Sequence, residues 1–204
     1  MRVLVTGFEP FGGDAVNASG EAVTALAEGW NDPTIHLVTA ILPVTVAGAP
    51  AALAAAIGEH RPDAVVWVGE AGGRAAVTPE RYAVNERAAR IPDNDGATPA
   101  GPIDSGPERL ESRIDVERVA TAITAAGLPA HVSEDAGRFV GNAVFRAALT
   151  GFAGPAGFVH VPTVRETGTA TVGAETDEAA TAAVSALTTA DLVTALDAAV
   201  RALA

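Results

Sequence analysis

Few side chains in this sequence have the means to do chemistry. His160 closes the apolar run Phe158-Val159-His160-Val161-Pro162. An imidazole there can act as a general base, though the pattern alone describes a hydrogen-bonded structural histidine more often. Glu80, between Pro79 and Arg81, could orient such a base; by itself it reads as a surface charge paired with a neighbouring arginine. The chain has no cysteine, which excludes thiolate chemistry, disulfides and thiolate zinc sites. His36, His60, His131 and His160 lack the spacing of a metal-binding helix. Gly7, Gly12 and Gly13 have neither a dinucleotide fingerprint nor the Lys-Ser/Thr of a phosphate loop. No metal and no cofactor is expected.

The elements that must position these groups suit one α/β domain spanning 1–204. The 204 residues are about half apolar and poor in aromatics, enough for one helix-and-sheet core. A formal charge of −12 argues against nucleic acid and anionic membranes as partners. No run is long and apolar enough to span a bilayer, and the N-terminus reads as a strand rather than a signal, so a cytoplasmic protein is expected.

Residues 2–6 predict a buried strand, 19–28 a helix capped by Asn17 or Ser19, and 35–42 a second strand. A helix over 46–57, stopping near Gly58 and Pro62, precedes the clearest strand, 64–68, whose continuous β-branched run predicts burial on both faces. From about 70 to 113 the chain is rich in Pro, Gly, Asp and Asn and reads as one long irregular segment, a length usually reserved for function or disorder. A helix over 116–126, a short strand over 130–133, a helix over 141–149 and a strand over 157–161 follow. The Ala- and Thr-rich stretch 175–190 gives no clear element. A last helix opens on Thr188-Thr189-Ala190-Asp191, with Leu192, Val193, Leu196, Val200 and Leu203 on one face. Alternation of this kind predicts a mostly parallel twisted sheet with helices on both faces. Ligands of such sheets bind beyond the carboxyl ends of the strands, where the loop after the first strand, the loop after Val68, Gly141 and His160 all fall.

Five segments carry a resemblance: Val5-Thr6-Gly7-Phe8-Glu9-Pro10-Phe11-Gly12-Gly13, Ala71-Gly72-Gly73-Arg74, Thr78-Pro79-Glu80-Arg81, Ala136-Gly137-Arg138-Phe139-Val140-Gly141-Asn142 and Phe158-Val159-His160-Val161-Pro162. Together, over residues 1–162, they resemble pyroglutamyl peptidase I, a family of cysteine peptidases with a phosphorylase/hydrolase-like fold. The resemblance implies a catalytic Cys, His and Glu at positions held here by Gly141, His160 and Glu80. It also implies a lactam pocket lined by Phe8, Phe11, Ile91, Phe139 and Val140 with Asn17 close by, a peptide N-terminus or small lactam as ligand, and a homo-oligomer.

Two positions depart from that pattern. Gly141 offers no nucleophile, so covalent acyl transfer by the family's route is ruled out. Glu70 stands where the family commonly has Gln before Ala-Gly-Gly. A carboxylate accepts but cannot donate to a lactam carbonyl, so Glu70 either meets a cationic group on a ligand or faces protein or solvent. Three readings follow. The first is a lactam-binding protein without its nucleophile. The second is an enzyme that hydrolyses, forms or opens a small cyclic amide with His160 and Glu80 as acid and base. The third is a non-catalytic scaffold or subunit.

Overall fold

Four apolar runs build the centre of the protein, each long enough for a strand and rich in Val, Leu or Ile. The computed structural model describes residues 1–165 and 185–204. In chain order the elements are β1 (Arg2–Phe8), α1 (Ala18–Gly29), β2 (His36–Leu42), α2 (Gly48–His60), β3 (Ala64–Ala71), β4 (Thr78–Glu80), β5 (Tyr82–Val84), β6 (Arg87–Ala88), β7 (Ala100–Gly101), β8 (Arg109–Glu111), α3 (Val116–Ala125), α4 (Val140–Gly151), β9 (Ala156–Pro162) and α5 (Thr189–Arg201).

The main sheet runs β2-β1-β3-β9-β4. Its first four strands are parallel, and β4 closes one edge antiparallel to β9. Because side chains alternate across a strand, each central strand supplies two cores. Val3, Val5, Val66, Val68, Val159 and Val161 face one way, against α1, α3 and α5. Leu4, Val65, Trp67 and Phe158 face the other, against α2 and α4. On that second face Trp67, Phe145 and Phe158 form an aromatic wedge, with ring centroids 5.3, 5.7 and 6.1 Å apart. Each of the three rings is fully buried, worth roughly 1.5–3 kcal/mol of transfer free energy apiece.

Three helix starts are fixed by side chains as their sequences suggest. Asn17 accepts from the Ser19 N–H, Asp115 from the Arg118 N–H, and Thr188 and Asp191 form a reciprocal capping box. On α5 the buried face is Leu192, Ala195, Leu196, Ala199 and Val200; Val193 and Leu203 are only partly buried against it.

Three expectations need correction. Residues 130–133 form no strand; Ala130 and Ser133 make only isolated bridges, to Val77 and Glu80. The stretch from 70 to 113 is not one irregular loop. Glu70 and Ala71 finish β3, and the rest supplies β4 and two small antiparallel ribbons, β5 with β8 and β6 with β7. These strands are too short to show a period of two in the sequence. Finally, α2 runs through Gly58 to His60 and stops at Arg61 in the left-handed region (φ 46°), immediately before Pro62. The Ala- and Thr-rich stretch lies outside the described residues as far as 184.

Candidate functional site

Strand register brings the first two candidate residues together. On β9 the side chains of Phe158 and His160 share one face. Parallel pairing sets Gly69 of β3 opposite His160, and antiparallel pairing sets Thr78 of β4 opposite His160 and Glu80 opposite Phe158. Gly69 matters because a Cβ there would sit 2.8 Å from the Phe158 ring and 3.1 Å from His160 Cδ2. Without one, the two rings pack side by side at a tilt of 54°, 4.3 Å between centroids.

Glu80 lies across from that pair, and its Oε1 is 2.7 Å from His160 Nδ1. Glu80 is fully buried and His160 is 8 % exposed. The surface ion pair expected of Glu80 is therefore wrong in place: Arg81 turns to Glu117 and Glu134, and Arg74 reaches Glu80 instead. Arg74 Nη1 donates to Glu80 Oε1 at 2.5 Å and to Thr78 Oγ1, while Nη2 donates to the Asp135 carbonyl at 2.9 Å. Asp135 is in turn bound through both carboxylate oxygens by Arg138. Burial alone would raise the Asp135 carboxyl, but Arg138, the Gly137 N–H and the Arg74 charge together hold it below the usual carboxylate range.

Gly141 is the second residue of α4. The helix starts after Phe139, whose backbone is extended and whose side chain offers no cap. The first intrahelical bond comes from the Ala143 N–H to the Phe139 carbonyl, so the amides of Val140, Gly141 and Asn142 have no acceptor within the helix. A Cβ on Gly141 would lie 3.8 Å from His160 Nε2 and 2.8 Å from Cζ of Phe158. One imidazole nitrogen thus meets the carboxylate while the other faces residue 141 at the positive end of a helix. That arrangement can take a proton at Nε2 and stabilise negative charge on an oxygen held at the helix end.

A cavity of about 50 Å³ opens in front of this group. That volume holds a few waters, the scale of a small ring rather than a long side chain. Phe8, Phe11, Asn17, Glu70, Phe139, Val140, Gly141 and His160 line it, as do Val44, Ala71, Ala136, Gly69 and Phe158. Phe11 and Phe139 form its aromatic wall, with centroids 6.0 Å apart. Ile91 is half-buried and is not among the lining residues. Its loop is drawn elsewhere by buried Asp93, which accepts from the amides of Val46, Asp95 and Ala97. The Asn17 side chain is already engaged, accepting from Ser19 and donating to the Glu9 carbonyl.

Glu70 lines the cavity and also meets partners within the protein. Both of its oxygens accept from the Arg165 guanidinium (2.9 and 3.0 Å), and Oε2 also accepts from the Ala18 N–H at the start of α1, 2.6 Å away. Arg165 bonds Asp14 as well, at 2.8 Å. Burial favours the neutral form of Arg165, but Glu70 and Asp14 outweigh it and raise its proton affinity above the ordinary arginine value. The cationic group that Glu70 calls for is the chain's own.

Arg74 and Asn142 stand inside the motifs above, where the sequence gives neither a task. Asn142, fully buried, clamps β5 beneath α4: its Oδ1 accepts from the Val84 N–H and its Nδ2 donates to the Val84 and Glu86 carbonyls. Their only signal was a charged or amide side chain beside glycine at a strand or helix end. Among the described residues no group of three His, Asp or Glu side chains is arranged to hold a metal ion, and no helix is long and apolar enough to cross a membrane.

Comparison with known proteins gives a consistent result. The family described as pyroglutamyl peptidase matches residues 1–204. The pyrrolidone-carboxylate peptidase of Vibrio parahaemolyticus is 43% identical over 173 residues, covering 82% of this chain and 81% of its own. That of Gloeobacter violaceus is also 43% identical, over 172 residues, covering 81% and 83%. Among solved structures, pyroglutamyl peptidase I from Bacillus amyloliquefaciens superposes with a TM-score of 0.85 at 34% identity, covering 99% of this chain and 94% of that one. Pyrrolidone carboxyl peptidase from Pyrococcus furiosus superposes with a TM-score of 0.86 at 30% identity, covering 100% and 98%.

Proposed function

The chain belongs to the pyroglutamyl peptidase family, and on that premise we propose that its cavity receives an N-terminal pyroglutamyl residue or a related small lactam without the thiol that would attack it. Residue 141 takes the place of the family's cysteine, and glycine there cannot form an acyl intermediate. The observation that carries the reading is the aim of His160: Nδ1 on Glu80, Nε2 toward the residue-141 Cβ position. Aromatic faces on one side and helix amides without an intrahelical acceptor on the other suit a flat ring with a polar edge. With Glu70 neutralised by Arg165, the lining favours an uncharged ring over a cationic one.

A thermal-shift series tests this. Pyroglutamyl amide at millimolar concentration is expected to raise the Tm, whereas proline amide, which carries an ammonium and no ring carbonyl, is not. Equal responses to both, or none to either, would remove the lactam reading.

The intact His160–Glu80 contact favours a second reading, in which His160 draws a proton from water placed beside Gly141 and the helix amides hold the developing oxyanion. Slow hydrolysis of a pyroglutamyl amide that disappears in His160→Ala is the expected result. Turnover that survives His160→Ala would exclude this route.

A further inference from the structure

We propose that Arg74 is a positioning residue that keeps His160 neutral, with its proton on Nδ1 and its lone pair on Nε2. This rests on the reading of Glu80 and His160 as a working pair, but it goes beyond that reading by adding a third charge. Glu80 Oε1 accepts from both Arg74 Nη1, at 2.5 Å, and His160 Nδ1, at 2.7 Å. Its other oxygen, Oε2, is buried without a hydrogen-bond partner among the described residues. One carboxylate oxygen is therefore shared between a permanent cation and an imidazole.

The consequence is electrostatic. A lone buried carboxylate would pull a second proton onto the imidazole, because an imidazolium would be its only counter-charge. A guanidinium already on the same oxygen satisfies that charge and repels the imidazolium. The guanidinium cannot give up its own proton, so this bias holds across the physiological range. Arg74 is also clamped where it must be, with Nη1 on Thr78 and Nη2 on the Asp135 carbonyl. Thr78 stands directly opposite His160 in register, so the clamp and the imidazole move with the same strand pair.

The remaining charges around His160 are balanced from each neighbouring element. Glu80 comes from β4 and Arg74 from the turn after β3. Asp135, from the loop before α4, is held by Arg138. Glu70, at the end of β3, is neutralised by Arg165. Arg74 is thus the cation whose removal leaves Glu80 with the His160 imidazole as the group able to supply a counter-charge among the contacts described.

The test reads proton affinity, so it stands apart from any failure of lactam binding or turnover. In the unaltered chain at pH 7, ¹⁵N NMR of His160, assigned by its loss in His160→Ala, is expected to show one protonated and one lone-pair nitrogen. Two protonated nitrogens would overturn the proposal. Arg74→Gln keeps a donor but removes the charge, and its imidazole is expected to bind a proton about tenfold or more tightly than in the parent. Arg74→Lys keeps the charge and is expected to stay within about threefold of the parent. A merely structural role for Arg74 would leave the Gln and Lys variants alike, and that result would also overturn it.

Discussion

Gly141→Cys is the change that asks most of this site. A Cβ at residue 141 would lie 2.8 Å from Cζ and 3.1 Å from Cε1 of Phe158, closer than real Cβ contacts allow, so that ring has to shift. Phe158 is fully buried against Trp67 and Phe145, and pushing it costs about 1–3 kcal/mol. For a chain of this length that is a drop of roughly 2–10 °C in Tm. The same Cβ would lie 3.8 Å from His160 Nε2, within reach of the sulfur it carries. At the second residue of α4 the thiol would also meet amides that no side chain caps. Helix end and imidazole both favour the thiolate. Alkylation by iodoacetamide reports this directly. An ordinary thiol slows by roughly a hundredfold between pH 8 and pH 6, whereas the introduced one is expected to slow by less than about tenfold. Release of a fluorophore from a pyroglutamyl amide should exceed that of the parent by about 10⁴. Adding His160→Ala should move the alkylation profile part of the way back toward the ordinary one, leaving the share that the helix end contributes. A folded Gly141→Cys protein whose thiol titrates like a free cysteine would refute the claim that His160 and the helix end act on residue 141.

Three other outcomes follow from contacts elsewhere. Arg165→Met leaves the Glu70 and Asp14 carboxylates without their shared cation in a site where all three side chains are largely buried; a loss of about 3–5 kcal/mol in urea unfolding is expected, and a loss under about 1 kcal/mol would contradict it. Arg61→Gly relieves a left-handed backbone at the end of α2 and should stabilise by about 0.5–1 kcal/mol in the same assay; destabilisation would show that the conformation carries no strain. Acid should destabilise the fold. Asp32 is lowered from 3.8 to about 2, first by the Thr34 hydroxyl and then by the Thr34 and Ile35 amides, and Asp104 is lowered by Arg146. Groups with depressed native affinity bind more protons when unfolded, so their stability is present above the ordinary carboxylate range and lost as pH falls through the native value. The urea midpoint is expected to hold steady from about pH 7 to pH 5 and to fall from about pH 4 to pH 2; a midpoint that rises on acidification would reverse the sign of the argument.

How far the sequence can be read depends on where each signal is stored. The strand over 64–68 was legible because burial on both faces demands an unbroken β-branched run, and β3 has one. The start of α5 was legible because a capping box is local, with Thr188 and Asp191 three residues apart. By contrast β6 and β7 have two residues each, and what orders them is mutual pairing across Arg87–Gly101 and Ala88–Ala100 rather than any pattern of their own. The convergence of His160 with Gly141 was expected from topology, but only His160 arrives as expected, near the carboxyl end of a parallel strand; the strand expected before Gly141 is reduced to isolated bridges, and residue 141 reaches the site at the start of α4. The burial of Glu80 did not, because it depends on β4 turning back antiparallel along β9, which three residues of sequence do not announce.

Glu70 shows the same limit from the side of charge. Read locally, a carboxylate at the rim of a cavity invites a cationic ligand, and the nearby Arg74 is engaged with Glu80 instead. The answer lies 95 residues away: β3 and β9 pair in parallel with Glu70 opposite Val161, and the chain leaving β9 delivers Arg165 to the same rim. The Ala18 amide at the first turn of α1 and Asp14 complete the arrangement, so one acidic residue ties three segments to the mouth of the cavity. A buried charge is tolerated when its partners are fixed by the fold, and the partners here are set by strand order rather than by sequence neighbourhood. The acidity of this rim is therefore tied into the fold, and under the proposed reading the chemistry offered to a ligand falls to His160, the aromatic wall and the amides of α4.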